Sequence, residues 1–313
     1  MPARAAEERG ILNIQVENDL FVNPGTSDKH YTNGFRVSWL SLENDVPNLV
    51  HDFADLVPVF AADGKLRVSY SFGQNMFTPG DITKSEPQPR DRPYAGWLYA
   101  GVGLVSDSGE TLDNLELNVG VVGPWSLAEP IQRAYHDMIN TTEPRGWDNQ
   151  LHNEPGVVLF YERQWRRLRE FETFGFGVDM TPHVGAAVGN VYTYGATGVT
   201  FRVGRNLPAD YGPPRIRPSL PGSGFFLGSD GFGWYLFAGV EGRAVGRDIF
   251  LDGNTFEASQ NVDKKNFVAD GQAGIAMTID DVRIAFTYVY RTTQFHGQEA
   301  PDSFGALSVS FRF

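Results

Sequence analysis

The C-terminal stretch FGALSVSFRF, from Phe304 to Phe313, shows the alternation that decides the fold class. Apolar residues stand at every second position from Leu307 onward, and serine or arginine stands between them. Successive side chains of a β-strand point to opposite faces of the sheet. The stretch therefore predicts a strand with one apolar and one polar face.

The same alternation recurs along the chain, most clearly in Tyr31–Trp39, Leu115–Val121, Trp234–Val240 and Val282–Tyr290. Each run extends over about ten residues, the length that crosses a bilayer at the tilt of a barrel strand. Strands of a soluble β-sandwich, the alternative fold, usually have only about five or six residues. The sequence therefore predicts an all-β protein, a transmembrane antiparallel β-barrel.

Roughly twelve such runs are found, and an even number is usual for bacterial barrels. They cover residues 10–20, 31–42, 66–77, 94–106, 110–122, 154–166, 171–187, 191–206, 231–249, 264–278, 280–295 and 303–313. An even-stranded barrel has both ends on the periplasmic side. Extracellular connections are then expected at 21–30, 78–93, 123–153, 188–190, 250–263 and 296–302. Of the periplasmic ones, 43–65 is predicted to hold a short helix within 46–60, and the Pro/Gly-rich 206–231 is interpreted as a linker.

Composition narrows the classes of function. The 38 acidic and 26 basic residues give a net charge of −12, which argues against nucleic acid as a partner because phosphate binding needs a basic face. The absence of cysteine excludes disulfides, a thiol nucleophile and thiolate metal sites. Residues 1–313 are taken as one barrel domain. Its first nine residues lack the apolar core of a signal peptide and are expected to be disordered or foreign to the native chain.

The longest predicted extracellular connection contains a helix signature. Ser126 and Glu129 form a capping-box pattern, and apolar residues follow at helical spacing. Gln132 and His136 are four residues apart, so they share one face of this helix, where the glutamine could orient the imidazole. The alternative is an ordinary pair of exposed polar side chains.

A second candidate site lies at the end of the first predicted strand, where Asn18 and Asp19 follow each other. An amide oxygen and a carboxylate are suitable ligands for Ca²⁺, which prefers oxygen atoms. The alternative is a turn-forming pair, because Asn and Asp are frequent at the start of turns.

Six ordered pieces of the sequence resemble the family of LpxR-type lipid A 3′-O-deacylases. The resemblance runs from the first strand to the C-terminal Phe and is densest in the first half. The pieces are Val16–Asp19, His30–Gly34, Gln74–Pro79, Asp91–Gly96, Val122–Pro124 and Gly146–Leu151. It implies a twelve-stranded outer-membrane barrel that hydrolyses lipid A with the help of Ca²⁺ and of a histidine base on an extracellular-loop helix.

Residue by residue, the resemblance implies a catalytic set formed by His136, Gln132, Thr32, Asn18 and Asp19. Asn18 and Asp19 are also the expected metal ligands. The family's acidic position after the histidine falls on Thr142, so the neighbouring Glu143 is expected to be the third ligand. Lys84 is expected to bind the substrate, although Ser85 stands where the family has a second basic residue. Arg92 is expected either to bind the substrate or to make a structural contact at the rim.

The resulting hypothesis is a monomeric lipid A deacylase of the outer membrane, with its active site facing the extracellular leaflet. It would hydrolyse the 3′-acyloxyacyl ester of lipopolysaccharide, with Ca²⁺ as cofactor and outer-membrane lipids as surroundings. Two alternatives stay open. One is a phospholipase A-type serine esterase using Ser27 and His30. The other is a passive pore or receptor barrel, which the many polar lumen-facing residues would suit.

Overall fold

The computed structural model describes residues 10–22, 28–43, 46–56, 60, 64–166, 169–173, 175–208, 210–212, 215–216, 224–226, 228 and 231–313. Its strands are β1 Ile11–Asn18, β2 His30–Leu40, β3 Lys65–Thr78, β4 Ala95–Asp107, β5 Thr111–Val122, β6 Glu154–Trp165, β7 Arg169–Thr173, β8 Phe176–Gly189, β9 Tyr192–Arg205, β10 Phe232–Asp248, β11 Phe267–Ile279, β12 Val282–Arg291 and β13 Asp302–Arg312. The α-helices are α1 Asn48–Leu56, α2 Ala128–Ile139 and α3 Ile249–Asp252. Short 3₁₀ helices cover Asp19–Phe21, Pro124–Ser126 and Trp147–Asn149.

The strands form one antiparallel sheet that closes on itself. Each strand from β1 to β5 pairs with the next, β1 pairs with β13, and from β13 the sheet continues through β12, β11, β10 and β9 to β8. Pairing of β6 with β8 closes the barrel. The short β7 pairs with another part of the same β8, so β6 and β7 together occupy one position of the wall. The predicted twelve-stranded antiparallel barrel is confirmed.

One predicted strand is wrong at its start. Residues 171–187 were expected to form one strand, but 169–173 belongs to β7 and β8 begins at Phe176. Gly175 lies between them with a φ of 76°, a left-handed conformation that favours glycine. The chain reverses direction there. Because apolar residues flank the turn on both sides, the sequence shows no break between the two strands.

The two faces of the wall have opposite chemistry. On β3, Tyr70 and Phe72 are half exposed on the outside, whereas Ser71 between them is buried and donates a hydrogen bond to Glu116 in the lumen. Exposed apolar side chains cover the outside of the other strands, among them Val102, Val119, Leu159, Phe201, Val240 and Ile284. This is the arrangement of a barrel whose outer surface contacts lipid.

Ion pairs between buried residues fill much of the lumen. Arg202 bonds both Asp179, at 2.6 Å, and Asp210, and Arg283 reaches the other oxygen of Asp210 at 2.7 Å. Arg243 and Arg291 hold Asp270 in the same way, at 3.0 and 2.7 Å. Buried charges are tolerated only when they are paired and hydrogen-bonded in this manner.

The connection between β9 and β10 enters the lumen and is not an external linker. The Tyr211 hydroxyl donates to Asp107 at 2.6 Å, and Arg215 donates to Glu17 of β1 at 2.7 Å. Phe226 is fully buried below the guanidinium of Arg283, with 4.7 Å from that group to the ring centre. The described residues of this connection therefore cross the interior of the barrel.

The helices lie outside the strand ladder. The predicted helix within 46–60 is present as α1, and the predicted loop helix is present as α2. Over the part of the chain that the structure describes, no helix combines the length and apolar character needed to span a membrane.

We expect no stable ion conductance when the protein is reconstituted in planar bilayers at high salt. The reason is that the described β9–β10 residues and the arginine–carboxylate clusters occupy the lumen. An open porin in the same bilayer is the positive control. Long-lived open channels of the protein would contradict this prediction.

Candidate active site

The predicted site residues gather at one rim of the barrel. We call it the helix rim: the rim at which β1 ends, β2 begins and α2 is attached. Asn18 is the last residue of β1, Thr32 is the third residue of β2, and His136 lies on α2. Gly10 and Phe313, the first and last described residues, lie at the opposite rim, where Ile11 pairs with Arg312.

The loop helix α2 packs against the outside of the wall. Met76 and Gly96 are register partners on β3 and β4, on the same outward side as Phe72. A Cβ atom on Gly96 would lie 2.4 Å from the Cβ of Ala128, so only glycine permits this approach. Nearby, Gln74 donates a hydrogen bond to the Ser126 carbonyl at 2.6 Å. The start of the helix is thereby fixed to the outer surface of β3 and β4.

The capping box predicted for this helix is wrong. Ser126 belongs to the preceding 3₁₀ helix and is buried against the wall, and Leu127, with a φ of 61°, is the N-cap. Glu129 pairs with Arg133 at 3.0 Å. The contact with Gly96 holds Ser126 away from the helix amides, so a tertiary contact overrides the local signal.

The polar face of α2 is turned toward the protein. Gln132 and His136 are both 3% exposed. They share this face but meet through a third residue, Asp28: Gln132 Nε2 donates to Asp28 Oδ2, and His136 Nε2 lies 2.7 Å from the same oxygen. Gln132 Oε1 accepts from Trp147 Nε1 at 2.7 Å, which fixes the orientation of the amide.

The imidazole of His136 is held at both nitrogens. Nδ1 donates to the Thr142 carbonyl, opposite the Asp28 contact at Nε2. Burial lowers the pKa of His136, but the hydrogen bonds to Asp28 and Thr142 outweigh burial, so the pKa is raised above its ordinary value. The ring is therefore fixed in place and made more basic.

Asp28 is the site residue that sequence reasoning missed. Its neighbours Ser27 and His30 drew attention as candidates for an esterase, while Asp28 itself belongs to no local pattern. Its partners are 104 and 108 residues away in sequence. The only available signal was an acidic residue just before the HYTNG piece.

Asp19 is a second buried carboxylate close to Asp28. Its Oδ2 accepts from the Lys29 amide at 3.0 Å, whereas its Oδ1 has no hydrogen-bond partner among the described residues. Burial, and next the negative charge of Asp28, raise the pKa of Asp19 to about 8. Two adjacent buried carboxylates with a free oxygen are chemically suited to a hard cation.

Asn18 and Thr32 lie beside this pair with their side chains already engaged. Asn18 Oδ1 accepts from the Leu20 amide at 2.8 Å and so caps the 3₁₀ helix, as the turn interpretation predicted. Thr32 lies at an irregularity in the pairing of β2 with β3, and its hydroxyl is 2.8 Å from that of Thr78. Both are buried oxygen-bearing groups at the helix rim.

Two expected residues lie elsewhere. Glu143, the expected third ligand, is exposed and pairs with Arg133 at 3.0 Å and Arg145 at 3.7 Å. Arg92 is fully buried with its guanidinium 4.6 Å from the centre of the Phe77 ring, a contact that fits the structural alternative. In the described part of the chain, no three His, Asp or Glu side chains converge on one metal position.

Lys84 is exposed to solvent at the same rim. Its ammonium is 3.2 Å from Asp81 and is more than half exposed. It lines a cleft of about 1000 Å³ together with Lys29, Arg90 and His296. A cation in this position is accessible to an anionic ligand.

The fold and the site define an outer-membrane β-barrel protein with a polar cluster between a loop helix and the barrel wall. A family model described as "Outer membrane protein LpxR" matches residues 1–313, and the chain belongs to this family. The resemblance found in the sequence is thereby confirmed.

Among solved structures, LpxR from Salmonella typhimurium is similar in fold, with a TM-score of 0.77 and 20% identity over 97% of this chain and 100% of that chain. The β-domain of the Bordetella autotransporter BrkA gives a TM-score of 0.45 and 9% identity over 97% and 98% of the two chains. Comparison with curated proteins gave no match.

We expect Gly96→Ala to impair whatever reaction uses His136 while leaving the barrel folded. The added methyl group displaces α2, and a shift of about 1 Å in a catalytic group can cost up to about 100-fold in rate. Gly195→Ala is the matched control, because a Cβ there meets nothing within 4 Å. The measurement is turnover together with heat-modifiable gel migration. Equal activity of the two variants would show that the position of α2 is unimportant.

Proposed function

We propose that the protein is a Ca²⁺-dependent lipid A deacylase that hydrolyses the 3′-acyloxyacyl ester of lipopolysaccharide. Membership of the LpxR family supports this proposal. The observation that carries it is His136, buried and oriented from both ring nitrogens at a site on the lipid-facing side of the wall. Strand parity supports an active site facing the extracellular leaflet. We propose that it acts as a monomer.

In this proposal His136 is the general base. A carbonyl only accepts hydrogen bonds, so the contact with Thr142 keeps a proton on Nδ1, and Nε2 takes one from a water molecule that inserts between it and Asp28. Asp28 stabilises the imidazolium that forms, and Gln132 holds Asp28 in position. A base with a pKa raised toward the working pH is efficient in this role.

The water activated in this way attacks the ester carbonyl and forms a tetrahedral intermediate. Collapse of the intermediate releases the fatty acid and the lipid alcohol, and the proton on His136 returns to the departing oxygen. No acyl-enzyme is formed. The reaction therefore needs a base and a stabiliser for the oxyanion, but no nucleophilic side chain.

Asp19 would hold the calcium ion through its free Oδ1, with Asn18 beside it and the charge of Asp28 nearby. When bound, Ca²⁺ would polarise the ester carbonyl and stabilise the negative charge on its oxygen. Thr32, tied to Thr78, would position the substrate or donate to that oxygen. The unpaired carboxylate oxygen of Asp19 supports this assignment.

Lys84 would bind a lipid A phosphate. Its present partner Asp81 is an exposed neighbour, and exposed ion pairs contribute only about 0–1 kcal/mol. Exchange of this partner for a phosphate therefore costs little. The adjoining cleft offers space for the sugar headgroup.

The two alternatives have weaker support. Ser27, the nucleophile of a serine esterase, lies outside the described residues. Its presumed partner His30 is buried between Asp302 at 2.6 Å and Asp91 at 3.4 Å. A passive pore is disfavoured by the residues that cross the lumen.

We expect His136→Ala to reduce deacylation about 10²- to 10⁴-fold, the usual contribution of a general base. The assay is mass spectrometry of lipid A from cells that express the variant, with loss of one acyloxyacyl group marking activity. His152→Ala is the control, because that histidine is exposed and pairs only with Glu257 at 3.0 Å. Wild-type turnover by a folded His136→Ala variant would place the base elsewhere.

We expect a Ca²⁺ chelator to abolish activity, and readdition of Ca²⁺ to restore it. Asp19→Asn keeps the shape of the side chain but removes its charge, so it should raise the Ca²⁺ concentration needed for half-maximal activity. Asp137→Asn, on the exposed side of α2, should leave that concentration unchanged. Full activity in excess chelator would exclude a role for the metal.

A further inference from the structure

The exposed surface of α2 is divided into two stripes. Helical geometry places Glu129, Arg133 and Asp137 along one side. The other side is apolar, with exposures between 39% and 74%, and consists of Leu127, Ile131, Tyr135, Met138 and Ile139. A surface helix normally buries its apolar stripe. Here the polar face with Gln132 and His136 is buried, and the apolar stripe stays largely exposed.

The apolar stripe begins where the lipid-facing surface of the wall ends. α2 starts on Met76 and Gly96, which point outward from β3 and β4. Phe72 is on the same side of β3 and is half exposed. A strand rises about 3.3 Å per residue, so Phe72 lies roughly 13 Å along the strand from Met76. The lipid-facing surface of the wall therefore comes close to the start of the helix.

Aromatic residues mark this boundary. Trp125, just before α2, is 71% exposed, and Tyr135 lies on the apolar stripe. Tryptophan and tyrosine are enriched at the headgroup level of membranes, because their rings are apolar and carry one polar group. Exposed tryptophan at the edge of the lipid-facing surface is typical of an interfacial position.

The charged stripe of α2 carries ion pairs that are exposed to water. Arg133 pairs with Glu129 and with Glu143, both at 3.0 Å. Glu143 also pairs with Arg145, so the ion pairs form a connected series. These groups are partly or largely exposed, as expected for side chains in water. A helix with one apolar and one charged exposed side lies in the plane of a membrane interface.

We propose that α2 is an interfacial helix whose apolar stripe is inserted among the acyl chains of the leaflet at the helix rim. The charged stripe lies in water, and the face with Gln132 and His136 is turned to the wall. The nearby lipid-facing wall favours lipid over a protein as the occupant. A lipid can then reach the site sideways, without leaving the leaflet. The proposal concerns the surface alone and does not rest on the ester chemistry.

The test uses two neighbouring positions on opposite stripes. In a Trp125→Phe background, one variant carries Met138→Trp and the other carries Asp137→Trp. Both are reconstituted in nanodiscs of phosphatidylcholine with brominated acyl chains, which quench tryptophan on contact. All other tryptophans are common to the two proteins, and gel migration confirms that both are folded.

We expect the Met138→Trp variant to show blue-shifted emission and several-fold stronger quenching than the Asp137→Trp variant. Equal, weak quenching with water-like emission from both would overturn the proposal, because the stripe would then lie in water. A Met138→Trp signal protected from brominated chains and from aqueous iodide alike would also overturn it. That result would mean that protein, such as a second copy of the chain, covers the stripe.

Discussion

Closure of the strand ladder is the constraint on which the rest of this structure depends. Lipid offers no hydrogen bonds to a free strand edge, so a sheet in a membrane must pair its last edge with its first. The pairing of β6 with β8 completes that ring. Once the ring is closed, each strand has one side in lipid and one side in the lumen, and the alternation of the sequence follows from this geometry.

The same constraint decides where a reactive site can lie. Main-chain groups within the wall are used for hydrogen bonds between strands. The site is therefore assembled from segments outside the wall, which are the end of β1, the connection that precedes β2, and the helix α2. The close contact at Gly96 brings α2 onto the outer surface of the wall. Asp28 then joins the helix to the segment before β2 and shares one carboxylate between Gln132 and His136.

Local features were readable from the sequence, and long-range features were not. The strands and the pair Gln132 and His136 follow from periods of two and four residues, which neighbours in sequence determine. Asp28 was missed because its partners lie more than a hundred residues away. The capping box at Ser126 failed because the wall holds that residue. Arg92 and Glu143 were carried over by position in a family pattern, and position does not reveal that one is buried and the other paired with arginine.

The β9–β10 connection ties early strands to late strands through the lumen. Its Asp210 is bonded to arginines of β9 and β12, and its Arg215 is bonded to Glu17 of β1 and Gln272 of β11. These contacts brace the first strand against late strands across the junction of the two chain ends. The connection thus acts as an internal brace across the junction of β1 with β13.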